Sequence, residues 1–427
     1  MMTRDGITLV LIVALLLSIP TVAASPARSQ SVSESCSESP HNPVLNDSAG
    51  YTYTTSTGEW FAYNNTYQEP TVVETSAGLR MWYAGYIGGL WGVYTATSHD
   101  GGNWTVDPTP ALTVGSSGAW DSSIYTPSVL YNGTGFLMYY GGDNGILQAR
   151  SVGVAFSSDG VHWTKYAENP VLTPGPGLYD GNWIKSPDAL FSNGTYYMWY
   201  VGSAPLSYIA PGGYQYFEAI DLATSNDGLH WTKYLENPVF LGAPDEITTA
   251  PITELNGTTV HQYITSVGSP DVLDVNRTLV MLYGDGSGIR YATSYNAKDW
   301  TPTSGYLVNS AQAYWKSDYL SEPSALLNGT RLTLWYLGYS PIASQSSPYI
   351  GGIGFAQCWL VIVPVNHIVT TTSVSTLIQV VTSTSISVSS TTATELASGV
   401  PILEGATAFM AVLAVSLLYL LARRRPH

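Results

Sequence analysis

The 427-residue sequence is poor in basic residues and in cysteine. Lys and Arg together number 15 against 30 Asp and Glu, which gives a formal net charge of −15 at neutral pH. Such a surface repels nucleic acid, and no basic patch is visible, so we predict no nucleic-acid partner. The His and Cys residues lack the spacing of a metal site, and neither a phosphate-binding loop nor a Gly-x-Ser-x-Gly elbow occurs. We therefore predict no metal and no cofactor.

Long apolar runs are confined to the two ends of the chain. Residues 1–24 combine Arg4, an apolar run and small residues at a cleavage point, which predicts a secretory signal peptide, with an uncleaved anchor as the alternative. Residues 403–422 are long and apolar enough for a transmembrane helix, and the arginines that follow predict a cytoplasmic tail at 423–427. Replacement of this helix by a lipid anchor is the alternative. Residues 369–399 are rich in Ser and Thr and predict a stalk, although they could also form strands.

The segment between these ends, residues 36–365, would then fold outside the cell on a single-pass membrane anchor. Cys36 and Cys358 lie at its two ends, and in an exported chain such a pair is a disulfide candidate, with two unrelated thiols as the alternative. Asn-Gly-Thr occurs repeatedly and is a strong hairpin-turn signal, so these sequons predict exposed turns first and glycosylation second. The eight sequons in the chain begin at Asn46, Asn64, Asn103, Asn132, Asn193, Asn256, Asn276 and Asn328.

A unit of about 60 residues recurs along this segment. Each unit has a Pro-led strand, a hairpin turn, an aromatic strand, a third strand, and a Ser-x-Asp or Ser-x-Asn turn with a Trp four residues after the Asp or Asn. The leading prolines are Pro70, Pro127, Pro187 and Pro323, and in the irregular fourth unit we favour Pro251 over Pro270. Four short strands per unit without helical periodicity predict an all-β fold, a five-bladed β-propeller.

The turn residues of the repeat have a structural interpretation. The turn carboxylates recur at one position, which favours turn capping over catalysis for Asp100, Asp159 and Asp227. The turn tryptophans should be buried between blades; they are Trp104, Trp163, Trp231 and Trp300.

The fifth unit lacks an Asp–Trp turn of its own. The N-terminal segment 41–45, HNPVL, copies the Asn-Pro-Val elements that follow the turn tryptophans at Asn169 and Asn237. We expect this segment to complete the last blade, which would bring Cys36 and Cys358 together where the ring closes.

Several motifs resemble a known superfamily. They are residues 157–166, SSDGVHWTKY, residues 169–172, NPVL, and Met198-Trp199-Tyr200 followed by Gly202. They resemble the five-bladed propellers of invertases, levansucrases, arabinanases, β-xylosidases and mannoside phosphorylases, over about residues 41–360. The resemblance implies that carboxylates on the innermost strands surround a central pocket and cleave glycosidic bonds, which requires two carboxyl groups of different pKa.

Three carboxylates occupy the implied positions and are the candidate catalytic residues: Glu69, Asp188 and Glu322. The second blade offers Thr126 instead, so the set departs from the usual Asp, Asp, Glu order, and Asp271 becomes a candidate if Pro270 leads its blade. Aromatic residues in the irregular loops are the candidate substrate-binding residues: Trp91, Trp120, Trp183, Tyr214 and Trp315.

The sequence therefore favours a cell-surface, carbohydrate-active propeller of glycoside hydrolase type, whose partners are an oligo- or polysaccharide and the membrane. The matched positions of Glu69 and Glu322 favour an enzyme. The absence of a carboxylate at Thr126 favours the alternative, a noncatalytic protein that binds glycans or a cell-envelope partner. A six-bladed sialidase-like propeller fits less well, because only five units and no arginine cluster are found.

Overall fold

The computed structural model divides the chain into two compact units, residues 1–362 and 363–427. It describes residues 35–46, 51–55, 58–62, 65–144, 150–175, 180–210, 213–246, 248–253, 259–264, 267–310, 314–316, 319–340, 350–360, 370–376 and 390–396. The predicted signal peptide at 1–24, transmembrane helix at 403–422 and tail at 423–427 lie outside these ranges. Within them, no helix has both the length and the apolar character needed to span a membrane.

The described residues of the second unit fall within the Ser/Thr-rich stretch. Thr370–Thr376 and Ser390–Leu396 pair as an antiparallel two-stranded sheet.

In the described part of the larger unit, five antiparallel sheets of four or five strands form the blades, and their innermost strands contact one another in a closed ring. The fold is thus the predicted all-β five-bladed propeller. Blades one and two contain, from the axis outward, Asn65–Thr75, Gly78–Ile87, Leu90–Ser98 and Thr105–Thr113, then Ser123–Tyr131, Phe136–Asp143, Ser151–Ser157 and Thr164–Lys165. Blades three and four contain Trp183–Ser192, Thr195–Ala210, Gly213–Ser225 and Thr232–Lys233, then Gly268–Val275, Thr278–Gly284, Gly288–Ser294 and Thr301–Pro302. Blade five contains Tyr319–Asn328, Arg331–Ser340, Ile350–Trp359 and, from the other end of the segment, Ser35–Glu38.

Short elements decorate this ring. Val308–Asn309 pairs with the third strand of blade four, and Tyr314–Lys316 is a 3-10 turn before blade five. Tyr51–Thr55 and Gly58–Ala62 form a hairpin before blade one.

The ring closes as the sequence predicts. Strand Ser35–Glu38 pairs with Ile350–Trp359 so that Cys36 faces Cys358, and the two form a disulfide. The Asn42 side chain accepts from the backbone N–H of Phe355 and donates to its carbonyl. Asn169 and Asn237 make the same pair of bonds in blades two and three. The N-terminal segment therefore completes blade five.

The preference for Pro251 as the leading proline of blade four is wrong. Pro251 lies in a separate hairpin of strands Thr248–Thr253 and Thr259–Ile264, and Pro270 lies in the innermost strand Gly268–Val275. The inserted residues therefore precede blade four rather than interrupt it. The reason is the backbone: Ser269, directly before Pro270, has the left-handed φ of 51° that the other leading positions share.

The repeated turns link each blade to its neighbour. In blade one, Ser98 Oγ accepts the N–H of Gly101. Asp100 Oδ1 accepts the N–H groups of Gly102 and Asn103. The Gly101 carbonyl accepts from the indole N–H of Trp104 and from that of Trp335 in blade five, and the two indoles pack edge to face. The corresponding acceptors in blades two, three and four are Gly160, Gly228 and Ala297, with donors Trp82, Tyr139 and Trp199 from the preceding blades. The turn carboxylates thus cap turns that bridge blades, as predicted.

Candidate functional site

Each innermost strand bulges where its leading proline occurs. Proline has no N–H for the ladder, and the strand register skips at the proline and the residue before it in all five blades. The preceding residue adopts positive φ, at Glu69 (56°), Thr126 (43°), Ser186 (47°), Ser269 (51°) and Glu322 (57°). Positive φ is uncommon for residues other than glycine, and such strain concentrates at functional sites. Five strained positions on one ring point to the propeller axis as the site.

A closed ring of hydrogen bonds holds the five bulges in register. The residue after each leading proline has a short side chain with an oxygen acceptor, and it accepts a backbone N–H from the next blade. The acceptors are Thr71, Ser128, Asp188, Asp271 and Ser324, and the donors are, in the same order, Val129, Ala189, Val272, Ala325 and Val72. Because every blade gives and receives one such bond, all five innermost strands run in the same direction at the same height.

These residues enclose a cavity on the axis with an empty volume of about 350 Å³, counting the part that opens to solvent. Its walls are the five bulges, from the pre-proline residues Glu69, Thr126, Ser186, Ser269 and Glu322 to the first residues after the prolines. All three predicted catalytic residues, Glu69, Asp188 and Glu322, line it, and so does Asp271.

Glu69 and Glu322 form the first of two carboxylate pairs, contributed by the neighbouring blades one and five. Glu69 Oε2 accepts the backbone N–H of Thr126. Burial raises the pKa of Glu69 to about 7, although that hydrogen bond and the charges of Lys185 and Arg150 oppose the rise. Burial, and then the charge of Glu69, raise the pKa of Glu322 well above its usual range, although the charge of Lys185 and a hydrogen bond with Tyr319 oppose the rise. Among the described residues, Glu322 Oε2 has no hydrogen-bond partner. The pair therefore combines an anchored carboxyl group with one that is easily kept protonated.

Asp188 and Asp271 form the second pair, from blades three and four. Asp188 accepts the N–H of Val272 at 2.8 Å and the hydroxyl of Ser128 at 3.1 Å, and burial raises its pKa to about 7. Asp271 accepts the N–H of Ala325 at 3.0 Å, and burial followed by the charge of Asp188 raises its pKa well above the usual range. Both carboxylates thus occupy positions in the hydrogen-bonded ring that Ser or Thr fills in the other blades. Their geometry is that of scaffold residues that also face the cavity.

Two cations lie beside the first pair, and sequence reasoning missed them. Lys185 directly precedes the blade-three bulge and pairs with Glu218 at 3.0 Å. Arg150 lies 3.6 Å from Asp143, and both cations lie over the Trp183 ring, whose centroid is 4.9 Å from Lys185 Nζ and 5.3 Å from the Arg150 guanidinium carbon. Both charges favour the ionised form of Glu69. The sequence could have indicated Lys185, because it directly precedes Ser186, the residue before the leading proline Pro187.

The predicted substrate-binding aromatics occupy different surroundings. Trp183 is buried beside the two cations near the cavity. The indole of Trp91 donates to the Ile124 carbonyl at 2.8 Å, between blades one and two. Trp120 stacks on Tyr140, and the buried Trp315 stacks in the same way on Tyr336, so these two rings are equivalent parts of the blade cores. Tyr214 lies in strand Gly213–Ser225, and its side chain is outside the part described.

The carboxylates that recur before the leading prolines have structural partners. Asp121 pairs with Lys165 of blade two at 2.5 Å. Asp180 pairs in the same way with Lys233 of blade three. A buried tyrosine hydroxyl, of Tyr140 in the first case and Tyr200 in the second, bonds to the same carboxylate. These groups support the blades and do not line the cavity. Within the described ranges, no group of three or more His, Cys, Asp or Glu side chains is placed to hold a metal ion.

Solved structures share this fold at low sequence identity. A complex of BT0996 with RGII matches with a TM-score of 0.54 at 16% identity, covering 73% of this protein and 91% of the matched one. A protein described as a glycoside hydrolase gives 0.54 at 15% identity, with the same two shares of 73% and 91%. Zg3597, a family 117 glycoside hydrolase of the marine bacterium Zobellia galactanivorans, gives 0.53 at 16% identity over 78% of this protein and 93% of the matched one. The likeness to glycoside hydrolase propellers is thereby confirmed for the fold. No protein-family model and no curated protein matches the sequence.

Proposed function

We propose that this protein is a carbohydrate-active propeller that cleaves glycosidic bonds in an oligo- or polysaccharide, with Glu69 and Glu322 as its acid–base pair. The observation that carries the proposal is the adjacency of two enclosed carboxyl groups on the axial cavity, with different hydrogen bonding and raised pKa values. Glycoside cleavage needs one carboxylic acid that keeps its proton near neutrality and one carboxylate that has lost it.

The two environments assign the roles. The charge of Glu69 raises the pKa of Glu322, so Glu322 keeps its proton to higher pH. Glu322 therefore donates the proton to the leaving oxygen. The Thr126 N–H and the charge of Arg150 favour the ionised form of Glu69, which acts as base or nucleophile, while Lys185 favours ionisation of both glutamates. Asp188 keeps blades three and four aligned through its bond to Val272.

Support for an extracellular location comes from the disulfide between Cys36 and Cys358, because such bonds persist in oxidising compartments. With the signal peptide and transmembrane helix expected from residues 1–24 and 403–422, the proposal places the propeller outside the cell on a membrane anchor.

The test is sugar release from fructans, arabinans, xylans, mannans and RGII by the purified protein. Release should fall at least ~100-fold in Glu69→Gln and in Glu322→Gln, because general acid–base groups contribute about 10²–10⁴-fold. Glu74→Gln is the matched control, since Glu74 is an exposed glutamate on the same strand as Glu69. Sugar release that persists in both Glu69→Gln and Glu322→Gln would show that these two glutamates are not catalytic.

A noncatalytic glycan-binding protein is the second candidate. The blade-two bulge carries Thr126 in place of a carboxylate, and both aspartates of the cavity accept structural hydrogen bonds. Glycan binding without release from any substrate, unchanged by Glu69→Gln and Glu322→Gln, would establish this alternative.

A further inference from the structure

Five of the eight sequons lie in exposed turns between strands of one blade. Asn103 lies in the turn after the third strand of blade one. The other four lie where the innermost strand meets the second strand in blades two to five, three of them in the turn and Asn328 as the last residue of its strand: Asn132, Asn193, Asn276 and Asn328. All five asparagines are exposed. A repeated unit has thus placed a potential acceptor at the same corner of four consecutive blades.

The ring of hydrogen bonds puts these turns on one face. It aligns the five innermost strands in parallel, so their carboxyl ends emerge on the same side. The third strand of each blade runs parallel to the innermost strand, because each is antiparallel to the second. The turn with Asn103 therefore lies on that side as well. We call this side of the propeller, which carries the five asparagines, the hairpin face.

The cavity lies toward the other ends of the same strands. Asn132 follows the cavity residue Ser128 by four positions, and Asn193 follows Asp188 by five. At about 3.3 Å per strand residue, Asn132 and Asn193 lie ~13–17 Å farther along their innermost strands than these cavity residues. A group attached to the hairpin face would leave the carboxylate bulges uncovered.

Two of the acceptors stand beside exposed aromatic rings. Phe191, two residues before Asn193, is 48% exposed and packs on Tyr196 with ring centroids 4.6 Å apart. Tyr131, directly before Asn132, is 49% exposed and packs on Phe136 at 4.7 Å. Each exposed ring offers a flat apolar surface next to an acceptor asparagine. The C–H face of a sugar attached at the neighbouring asparagine would cover them.

We propose that Asn103, Asn132, Asn193, Asn276 and Asn328 carry N-linked glycans, so that the hairpin face is glycan-covered while the cavity end stays accessible. The proposal is independent of the cavity's activity. The Cys36–Cys358 disulfide supports exposure to the compartment where such transfer occurs.

The transfer is a substitution on an oligosaccharide linked to a lipid phosphate. A bond forms between asparagine Nδ2 and the anomeric carbon, and the bond from that carbon to the phosphate oxygen breaks. Nδ2 loses one proton, and the lipid phosphate leaves with the electron pair of the broken bond. No change of oxidation state is required.

The test is glycopeptide mass spectrometry of the full-length protein isolated from its own cells. Sugar mass is expected on the five named asparagines. Asn226 is the matched control, since it is exposed in the blade-three turn on the same face but Asp227-Gly228 follows it, so no sequon is present. Unmodified peptides at the five sites, or sugar confined to Asn46, Asn64 and Asn256, would overturn the proposal.

A second measurement uses Thr195→Val, which destroys the sequon and retains Asn193. The variant should lose one glycan mass, specifically at Asn193, with the other four sites unchanged. An equal mass at the Asn193 peptide in the variant and in the natural protein, apart from the Thr195→Val change itself, would show that Asn193 is not an acceptor. Because the readout is mass at each site, it does not depend on whether the cavity is catalytic.

Discussion

The glutamate pair should make the propeller less stable as its cavity ionises, and Glu69→Gln should remove part of that loss. Burial raises the pKa of Glu69 from 4.5 to about 7 in the folded protein. The folded state therefore holds this proton more tightly than the unfolded chain does. The contribution of Glu69 to stability is therefore fully present below pH 4.5, falls as the pH rises toward 7, and is lost above it.

The magnitude follows from the size of the pKa change. A rise from 4.5 to about 7 corresponds to about 3 kcal/mol of folding free energy lost between pH 4.5 and pH 8. Gln cannot ionise, yet its amide oxygen can still accept the Thr126 N–H. Removing the charge of Glu69 also makes ionisation of Glu322 less costly, which acts in the same direction. We expect Glu69→Gln to gain about 3 kcal/mol relative to the natural protein between these two pH values.

The assay is urea unfolding of both proteins at pH 4.5 and pH 8, with Glu74→Gln as the surface control. The control should follow the natural protein at both pH values, because Glu74 is exposed and far along the strand from the cavity. Equal pH dependence in Glu69→Gln and the natural protein would refute the argument that the Glu69 carboxyl group is enclosed and costly to ionise.

Two further predictions concern the scaffold. Asp188→Ala should lower the free energy of unfolding by about 1–3 kcal/mol, because the Val272 N–H loses its acceptor, whereas Asp188→Asn keeps an acceptor and should cost less; equal losses in urea unfolding would contradict this role. Cys36→Ser combined with Cys358→Ser opens a loop of 322 residues and should lower the free energy of unfolding by about 3–5 kcal/mol. An unchanged unfolding midpoint would show that blade five closes without the disulfide.

The repeat made the blades predictable because the same chemistry recurs at the same positions. Proline at a bulge, Ser-x-Asp at a turn and Trp between blades each have one physical role. The closure of blade five was readable for the same reason, since Asn42 copies Asn169 and Asn237 and makes the same backbone bonds. Blade four was misassigned because its inserted hairpin also contains a proline, and sequence spacing does not reveal which residue adopts positive φ.

The candidate site was predictable only in part. Position relative to proline identified Glu69 and Glu322, because the bulge that places them recurs in every blade. The scaffold role of Asp188 was missed because a carboxylate suggests catalysis. Thr71 and Ser128, at the equivalent positions, accept a backbone N–H from the next blade just as Asp188 does. The contributions of Lys185 and Arg150 depend on how blades two and three pack. The aromatic candidates failed to converge because Trp120 and Trp315 fill blade cores.

The glutamate pair itself exists only because the ring closes. Glu69 lies in the first blade and Glu322 in the last, 253 positions apart in the sequence. Two contacts across that boundary bring the blades together: Ser324 Oγ accepts the N–H of Val72 near the axis, and the Trp335 indole donates to the Gly101 carbonyl farther out. Blade five is in turn completed by the N-terminal strand that carries Cys36. The disulfide thus stabilises the blade on which half of the proposed acid–base pair stands, which connects closure of the fold to chemistry at its axis.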